Sequence, residues 1–290
     1  MHPLLADLLA QGPVVTDGAW GTQLQARGLP QGESPDHWNL VHPERVEEVP
    51  RAYADAGSQV VLTNTFQANR LALEGHGLAD QAVAINRAGV EISRRAVAGR
   101  AKVFASMGPS GKLLFAGQVT EEDLSRAFSE QAEALAAAGA DALVVETMSD
   151  LAEARIAVAA AQRTGLPVVA CMVFDSGKDK DRTMTGTTPE KAAEELSAAG
   201  ADVIGANCGQ GPSAYLAICR RLRAATERPL WIKPNAGLPE SQGDRVVYRM
   251  TPEEFAAEAA QLVEAGAAFV GGCCGTSPEF IVAIRERIRP

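Results

Sequence analysis

Three of the five cysteines stand where strands are predicted to end, and thiol chemistry at a metal is the reactivity they suggest. Cys208 closes one predicted strand, and Cys273 and Cys274 close another within Gly-Gly-Cys-Cys-Gly-Thr, 271–276. Three thiolates bind Zn²⁺ at about 2.3 Å and leave a fourth position open, as a catalytic zinc site requires. We therefore predict that Cys208, Cys273 and Cys274 hold a catalytic Zn²⁺, which would deprotonate a substrate thiol in the open position.

The adjacent cysteines Cys273 and Cys274 can bind one metal only if the backbone leaves the regular strand conformation there. Neighbouring residues of a regular strand point to opposite faces, so two adjacent cysteines share one metal only where the strand ends. The flanking glycines, Gly271, Gly272 and Gly275, permit such a break. By contrast, Cys171 lies within a predicted strand and Cys219 within a predicted helix, and both are interpreted as small buried hydrophobic residues.

Polar residues also follow the other predicted strands. Asp17 and Gly18 follow the first strand, Glu146 ends the fourth, Asn207 precedes Cys208 after the sixth, and Asn235 follows the seventh. Strand ends of a closed parallel barrel meet on one rim, where barrel enzymes carry their chemistry. We therefore expect these residues to lie beside the cysteines.

The elements that would position these residues alternate regularly between strand and helix. Eight apolar β-rich segments are predicted as strands, at 14–19, 59–64, 102–107, 142–147, 167–174, 202–208, 230–236 and 268–274. Helical patterns follow them, near 43–56, 78–98, 120–138, 150–164, 189–199, 212–225, 252–265 and 277–288. Eight such units favour a closed (β/α)8 TIM barrel. An open Rossmann-type sheet would need GxGxxG after the first strand, where the chain reads DGAWGT.

Helix boundaries support this division. Thr120, Asp150, Thr188 and Thr251 are predicted N-caps. Four helices end in Ala-Gly before an even-numbered strand, and the glycines suit a left-handed C-cap. These are Gly57, Gly139, Gly200 and Gly266. The pattern is that of paired βα units, although Ala-Gly is also a common helix stop.

Bulk properties restrict the partners. The chain has 290 residues and a formal net charge of -9, which argues against nucleic acid and anionic membranes. No apolar stretch reaches the length of a membrane span, and the N-terminus lacks the basic start of a signal peptide. We expect a single cytoplasmic domain over residues 1–290, in which the cysteines stay reduced and serve a metal or catalysis rather than disulfides.

Six blocks of the chain resemble the homocysteine S-methyltransferases, in the same order and nearly from end to end. They are DGAWGTQLQ (17–25), TNTFQANR (63–70), ETMSDLAEA (146–154), GANCGQGP (205–212), KPNAGLP (233–239) and GGCCGTSPE (271–279). The resemblance implies a TIM barrel in which one cysteine after strand six and a vicinal pair after strand eight hold zinc. It also implies that Asp17, Gly18 and Glu146 bind the substrate homocysteine. Asn207 and Asn235 complete the predicted set by orienting loops or ligands.

The methyl donor stays open at this point. Family members use betaine, S-methylmethionine, S-adenosylmethionine or a methylated corrinoid. A quaternary ammonium donor would favour an aromatic cage. The second-strand motif has Gln67 at the position where the betaine-dependent members resemble a Phe-Tyr motif. Trp20 and Trp38 of the long first loop either complete such a cage or pack that loop. The first two blocks look closer to the cobalamin-dependent members. No folate or corrinoid domain is expected within residues 1–290, so a separate corrinoid protein is one candidate partner.

Two alternatives also stand. The glycine-rich end of strand eight precedes a helix and would suit a phosphate-binding barrel enzyme of other chemistry. A non-enzymatic zinc- or thiol-binding protein is the second, and the presence of Asp17 and Glu146 beside the cysteines argues against it.

Overall fold

The computed structural model describes residues 1–242 and 245–288, apart from the side chains of residues 242 and 245. Eight parallel strands of this part of the chain form a barrel, in the order β1-β10-β7-β6-β5-β4-β3-β2. They are β1 (Val14–Val15), β2 (Val60–Val61), β3 (Lys102–Met107), β4 (Ala142–Met148), β5 (Val168–Met172), β6 (Val203–Asn207), β7 (Leu230–Lys233) and β10 (Ala267–Val270). The predicted (β/α)8 TIM barrel is confirmed.

The barrel closes between its first two strands. Thr16 and Val60 form an isolated parallel bridge, and the Gln59 amide donates to the Val15 carbonyl at 2.8 Å. The Gln59 side chain accepts a hydrogen bond from the Val15 amide at 3.1 Å. A side chain therefore completes the ladder where the two strands are too short to do so alone.

Within the described residues, eight long helices surround the barrel, one after each barrel strand. They are α4 (Pro43–Ala56), α6 (Ala82–Val97), α7 (Glu121–Ala137), α8 (Leu151–Gln162), α9 (Pro189–Ala198), α10 (Pro212–Ala225), α11 (Pro252–Glu264) and α12 (Pro278–Ile288). Each predicted helix is present, with its bounds shifted by at most four residues. Four short helices were not predicted: α1 (Pro3–Leu9), α2 (Gly21–Ala26), α3 (Trp38–Val41) and α5 (Arg70–Leu73).

Local chemistry fixes the helix ends as predicted. The side chains of Thr120, Asp150, Thr188 and Thr251 accept hydrogen bonds from first-turn amides. All four glycines of the Ala-Gly pattern have positive φ, from +91° to +106°. That backbone conformation costs glycine little and costs other residues more, so these positions are confirmed as helix stops.

Apolar residues form two layers. The barrel interior contains Phe104, Trp231 and Phe269 with the buried thiol of Cys171, and Leu5 of α1 joins this cluster. The second layer lies between strands and helices and includes Cys219. Both cysteines are fully buried among apolar side chains, in agreement with the sequence interpretation. Within the described residues, no helix combines the length and apolarity that a membrane span needs.

Six of the eight barrel strands end earlier than predicted, whereas β3 ends at Met107 as predicted and β4 one residue later, at Met148. β6 ends at Asn207, β7 at Lys233 and β10 at Val270, so the polar residues that follow leave the ladder and turn over the rim. After β7 the chain forms an unpredicted antiparallel hairpin of β8 (Glu240–Gln242) and β9 (Arg245–Val247).

Candidate active site

The three cysteines predicted as metal ligands lie together on the rim. The sulfur atoms of Cys208, Cys273 and Cys274 are within 4.8 Å of one another, and those of Cys208 and Cys274 are 3.9 Å apart. Two sulfurs bound at about 2.3 Å to one tetrahedral zinc lie about 3.8 Å apart. The sulfur spacing therefore fits a single tetrahedral metal.

Cys208 owes its position to an unusual backbone conformation. Its φ is +64°, a region that residues other than glycine seldom enter. The Cys208 amide donates to the Lys233 carbonyl at 3.0 Å, and its own carbonyl accepts from the Gln210 amide at 2.8 Å. These bonds hold the turn that points the thiol over the barrel, and such strain is typical of functional sites.

The vicinal pair sits beyond the end of β10, as its geometry requires. A Cβ on Gly271 would lie 2.1 Å from Thr16 Oγ1, and one on Gly272 would lie 2.4 Å from the Thr276 side chain. Both contacts are shorter than real Cβ contacts. The two glycines therefore do more than interrupt the strand, because they let this segment approach the first strand and its own turn.

The ionisation of the three thiols is interdependent. Hydrogen bonds from Cys273 and Cys274 hold the pKa of Cys208 well below its ordinary value. The contact with Cys208 raises the pKa of Cys273 and that of Cys274 above theirs. Without a cation one sulfur ionises at the expense of the other two, so three thiolates together require a positive charge between them.

A cavity of about 320 Å³ opens at this rim. Of the predicted site residues, Gly18, Glu146, Cys208, Cys273 and Cys274 line it. Asp17, Asn207 and Asn235 are buried behind that lining and contact the residues that form it. The predicted residues are thus brought together in two layers, only one of which faces the cavity.

Glu146 is the carboxylate of the cavity wall. It is only 7% exposed, and it accepts hydrogen bonds from Ser106 Oγ and, at 3.0 Å, from Asn207 Nδ2. Burial raises the pKa of Glu146, while the nearby Lys233 ammonium opposes that effect. The group is therefore a fixed acceptor whose charge a bound ammonium would favour.

Asn207 ties the ends of β4 and β6. Its Oδ1 accepts from the Thr147 amide at 2.8 Å, and its Nδ2 donates to Thr147 Oγ1 at 2.7 Å. Thr147 has a φ of +58°, so this clamp holds a second strained residue at the rim. Asn235 does the same for the cysteine segment, since its Oδ1 accepts from the Cys274 amide at 3.0 Å.

The Asp17 carboxylate is fully buried and already engaged. It pairs with the Lys233 ammonium, and its Oδ2 accepts from the Leu62 amide at 2.8 Å and from Trp20 Nε1 at 2.9 Å. A direct contact between this side chain and a substrate ammonium would have to displace one of these bonds. In the structure, the Asp17 carboxylate therefore supports the cavity wall through these hydrogen bonds and its ion pair with Lys233.

Lys233 lines the cavity but was absent from the predicted set. Burial alone would lower the pKa of its ammonium, yet the carboxylates of Asp17 and Glu146 outweigh that effect and raise it. The signal in the sequence was a lysine at the end of the apolar strand Leu-Trp-Ile-Lys. A charge at such a position is rarely buried unless it is paired.

A side chain at Gly18 would clash with its neighbours unless they moved. An added Cβ would lie 2.7 Å from Thr276 Oγ1 and 2.7 Å from the Tyr53 hydroxyl oxygen. These groups pin the loop, because the Tyr53 hydroxyl donates to the Ala19 carbonyl at 2.7 Å and Thr276 Oγ1 accepts from the Ala19 amide at 3.1 Å.

We predict that Gly18→Ala lowers the free energy of unfolding by about 1–3 kcal/mol, the usual cost of overpacking. Denaturant unfolding measures the change. Gly21→Ala is the matched control, because its added methyl meets no atom within 4 Å. Equal stability of the two variants would contradict the steric reading of Gly18.

Trp20, Trp38 and Gln67, whose roles the sequence left open, lie in different parts of the structure. Trp20 lines the cavity, as do Phe66 and the exposed Gln67. Trp38 is buried in the core layer, and its Nε1 donates to Glu33 at 3.1 Å. Trp38 therefore packs the loop, whereas Trp20 remains available to a ligand.

The backbone amides of the glycine-rich segment that could bind a phosphate already donate hydrogen bonds within the protein. The amides of Gly272, Cys273 and Cys274 already donate to Asp17 O, Pro234 O and Asn235 Oδ1 at 3.1, 2.7 and 3.0 Å. A phosphate site at a helix N-terminus depends on free amides. The geometry of these three residues disfavours the phosphate alternative.

Comparison with known proteins identifies relatives across the whole chain. The family model described as homocysteine S-methyltransferase matches residues 14–288. The methionine synthases of Mycobacterium tuberculosis and Mycobacterium leprae are each 33% identical over 96% of this chain. The match spans about a quarter of their own length, 25% and 24%.

Solved structures agree with the sequence relatives. The homocysteine methyltransferase MmuM from Escherichia coli, in its metallated form, superposes with a TM-score of 0.82 at 27% identity. That alignment covers 99% of this chain and 100% of the other.

Proposed function

The chain belongs to the homocysteine S-methyltransferase family, a family of methyl-transferring enzymes, and we propose that it methylates the thiol of homocysteine to form methionine. The observation that carries the proposal is the cluster of three thiols in one cavity with a buried, hydrogen-bonded carboxylate. A thiol-bearing amino acid has one group for each: its sulfur for the cysteine cluster and its ammonium for Glu146. Residues 1–290 would act as one substrate-binding domain.

Zinc is the metal that we propose for Cys208, Cys273 and Cys274. The sulfur spacing of 3.9 Å suits a tetrahedral ion, and an all-thiolate set favours zinc among the common divalent metals. The metallated form of the relative MmuM is consistent with this assignment. When bound, zinc would supply deprotonation of the substrate thiol at neutral pH.

The side chains of the cavity would bind and orient the substrate. Glu146 would accept hydrogen bonds from the substrate ammonium, and the Lys233 ammonium pairs with the buried Asp17 carboxylate behind it. Asn207 and Asn235 hold Glu146 and Cys274 in place. This orientation would direct the substrate sulfur at the methyl carbon, so that the new S–C bond forms as the donor keeps the electron pair of the broken bond.

We predict that Glu146→Gln raises the KM for homocysteine by about 10- to 100-fold, the equivalent of one hydrogen bond between charged groups. The side chain keeps its size and loses the charge that binds the ammonium. Steady-state kinetics at saturating methyl donor measures this change.

Glu153→Gln is the matched control. Glu153 is equally buried, at 4% exposure, and it accepts from the Ser110 amide at 2.7 Å, outside the cavity. It should leave the homocysteine KM unchanged. The role proposed for Glu146 would be wrong if both variants bound homocysteine as the wild type does.

The direct test is an assay of methionine formation from homocysteine with a panel of donors, together with the zinc content of the purified protein. Stoichiometric zinc with methionine from at least one donor supports the proposal. Methionine synthases as relatives make a methylated corrinoid, carried by a separate protein, one donor to include. Absence of methionine with every donor, at full zinc loading, would refute the proposed activity.

A further inference from the structure

The turn that carries Cys208 continues into Gln210, a residue to which the thiol chemistry assigns no part. Cys208 and Gly209 both have a left-handed backbone conformation, with φ of +64° and +70°. The Cys208 carbonyl accepts a hydrogen bond from the Gln210 amide at 2.8 Å, which closes the turn. Two successive left-handed residues, one of which is not glycine, persist only where neighbouring groups hold them.

The Gln210 carbonyl links this turn to the other side of the cysteine cluster. It accepts from the Asn235 amide at 2.8 Å, and the Asn235 side chain accepts from the Cys274 amide at 3.0 Å. The Cys274 carbonyl in turn accepts from the Ala236 amide at 2.9 Å. A continuous series of hydrogen bonds therefore joins the backbones of Cys208 and Cys274, whose sulfur atoms are 3.9 Å apart.

The Gln210 side chain ties the same turn to the loop that follows β5, residues 173–188, which we call the β5 loop. Its Nε2 donates to the Phe174 carbonyl at 2.9 Å and to the Lys180 carbonyl at 2.7 Å. A side-chain amide nitrogen has two hydrogens, so both are used. Both acceptors are backbone atoms, and they lie at two separate points of the β5 loop.

The β5 loop gives this anchor a firm base. A Cβ on Gly209 would lie 3.2 Å from Asp175 Cβ, so the cysteine turn packs directly on the start of the loop. Further along the loop, Asp181 Oδ2 accepts from the Arg221 guanidinium of α10 at 2.5 Å. The loop is therefore attached to the helical layer as well, and Gln210 holds the turn against it.

We propose that Gln210 is a positioning residue of the thiol cluster, which fixes the Cys208 turn against the β5 loop and so sets the spacing of the Cys208 and Cys274 sulfurs. This inference rests on the proposed function, because it concerns the metal site of that function. A tetrahedral zinc tolerates little change in this spacing, since each sulfur must stay at about 2.3 Å from the metal. Groups that orient metal ligands typically contribute about 10- to 100-fold in metal affinity.

The first test is Gln210→Met, which nearly keeps the length of the side chain, removes both donors and adds no charge. We expect the zinc affinity, measured by competition with a chromophoric chelator, to fall about 10- to 100-fold. Co²⁺ bound in place of zinc gives ligand-field bands that report the coordination geometry. These bands should change in the variant, whereas a role confined to folding would lower stability and leave the spectrum as in the wild type.

Gln162→Met is the matched control. Gln162 Nε2 also donates to a backbone carbonyl, that of Gly200 at 2.5 Å, but it ends α8 and so lies at the amino face of the barrel. This variant should keep the zinc affinity and the Co²⁺ spectrum of the wild type. Wild-type affinity and spectrum in Gln210→Met, or equal losses of zinc affinity in both variants, would overturn the proposal.

Hydrogen exchange of the protein without added metal separates this inference from the proposed function. In Gln210→Met the amides of Cys208 and Cys274 should exchange about 10-fold faster, because the hydrogen bonds that they donate open more often. Gln162→Met should leave both rates unchanged. Unchanged rates at both cysteines in Gln210→Met would overturn the positioning role.

The two proposals fail in different ways. If the wild type bound neither Zn²⁺ nor Co²⁺, the proposed metal site would be wrong, and the exchange rates would still decide the role of Gln210. Zinc binding without methionine from any donor would refute the proposed activity, and the zinc affinities of the two variants would decide the role of Gln210.

Discussion

Replacing Cys273 with alanine is expected to abolish zinc retention and methyl transfer together. Two thiolates would remain where three converge within 4.8 Å. Loss of residues that merely support a ligand costs about 10- to 100-fold in metal affinity, so loss of a ligand should cost more than that. Activity should fall below detection, because the substrate thiol would lose the metal that deprotonates it at neutral pH.

The measurement is the zinc content after dialysis, beside the initial rate of methionine formation. Cys219→Ala is the matched control, because it removes a thiol that is fully buried in the layer between strands and helices. That variant should lose only packing energy and keep its metal. A Cys273→Ala protein that retained full activity without zinc would refute the mechanism.

The sequence was sufficient for the barrel and for the thiol cluster. Apolar segments alternate with helices whose caps are local signals, and each cap prediction holds. The rim position of Cys208 and Cys273 follows from the same alternation, because carboxyl ends of parallel strands share one edge. The end of β6 was overextended because Cys208 adopts a left-handed backbone conformation that residue type does not predict.

The cavity wall was less accessible to sequence reasoning. Lys233 and Asp17 are 216 positions apart, and nothing local to either residue indicates that they meet. Asp36 lies in a loop whose path depends on the side-chain pair Asn39 and Asn64, so its place at the cavity is a tertiary property. The gathering of strand ends at one rim was therefore predictable, whereas the pairing of Lys233 with Asp17 and the path of the loop were not.

The second large effect is expected from Lys233→Met, which removes the partner of a fully buried carboxylate. The side chains of Lys233 and Asp17 are 3% and 0% exposed. Breaking a buried ion pair by deleting one member costs about 3–5 kcal/mol, because the remaining charge is left uncompensated. We expect that loss in the free energy of unfolding, together with a reduced kcat/KM as the wall around Glu146 loosens. Denaturant unfolding gives the first quantity.

A double-mutant cycle with Asp17→Asn separates the ion pair from simple packing. If the two charges stabilise each other, the double variant should be more stable than the sum of the single losses predicts, by about 2–3 kcal/mol. Lys102→Met, at the exposed start of β3, controls for removal of a lysine and should be nearly neutral. Strictly additive losses at Asp17 and Lys233 would contradict the coupling. Because Lys233 lines the cavity and Asp17 lies behind it, such coupling would mean that the ion pair stabilises the wall that holds Glu146.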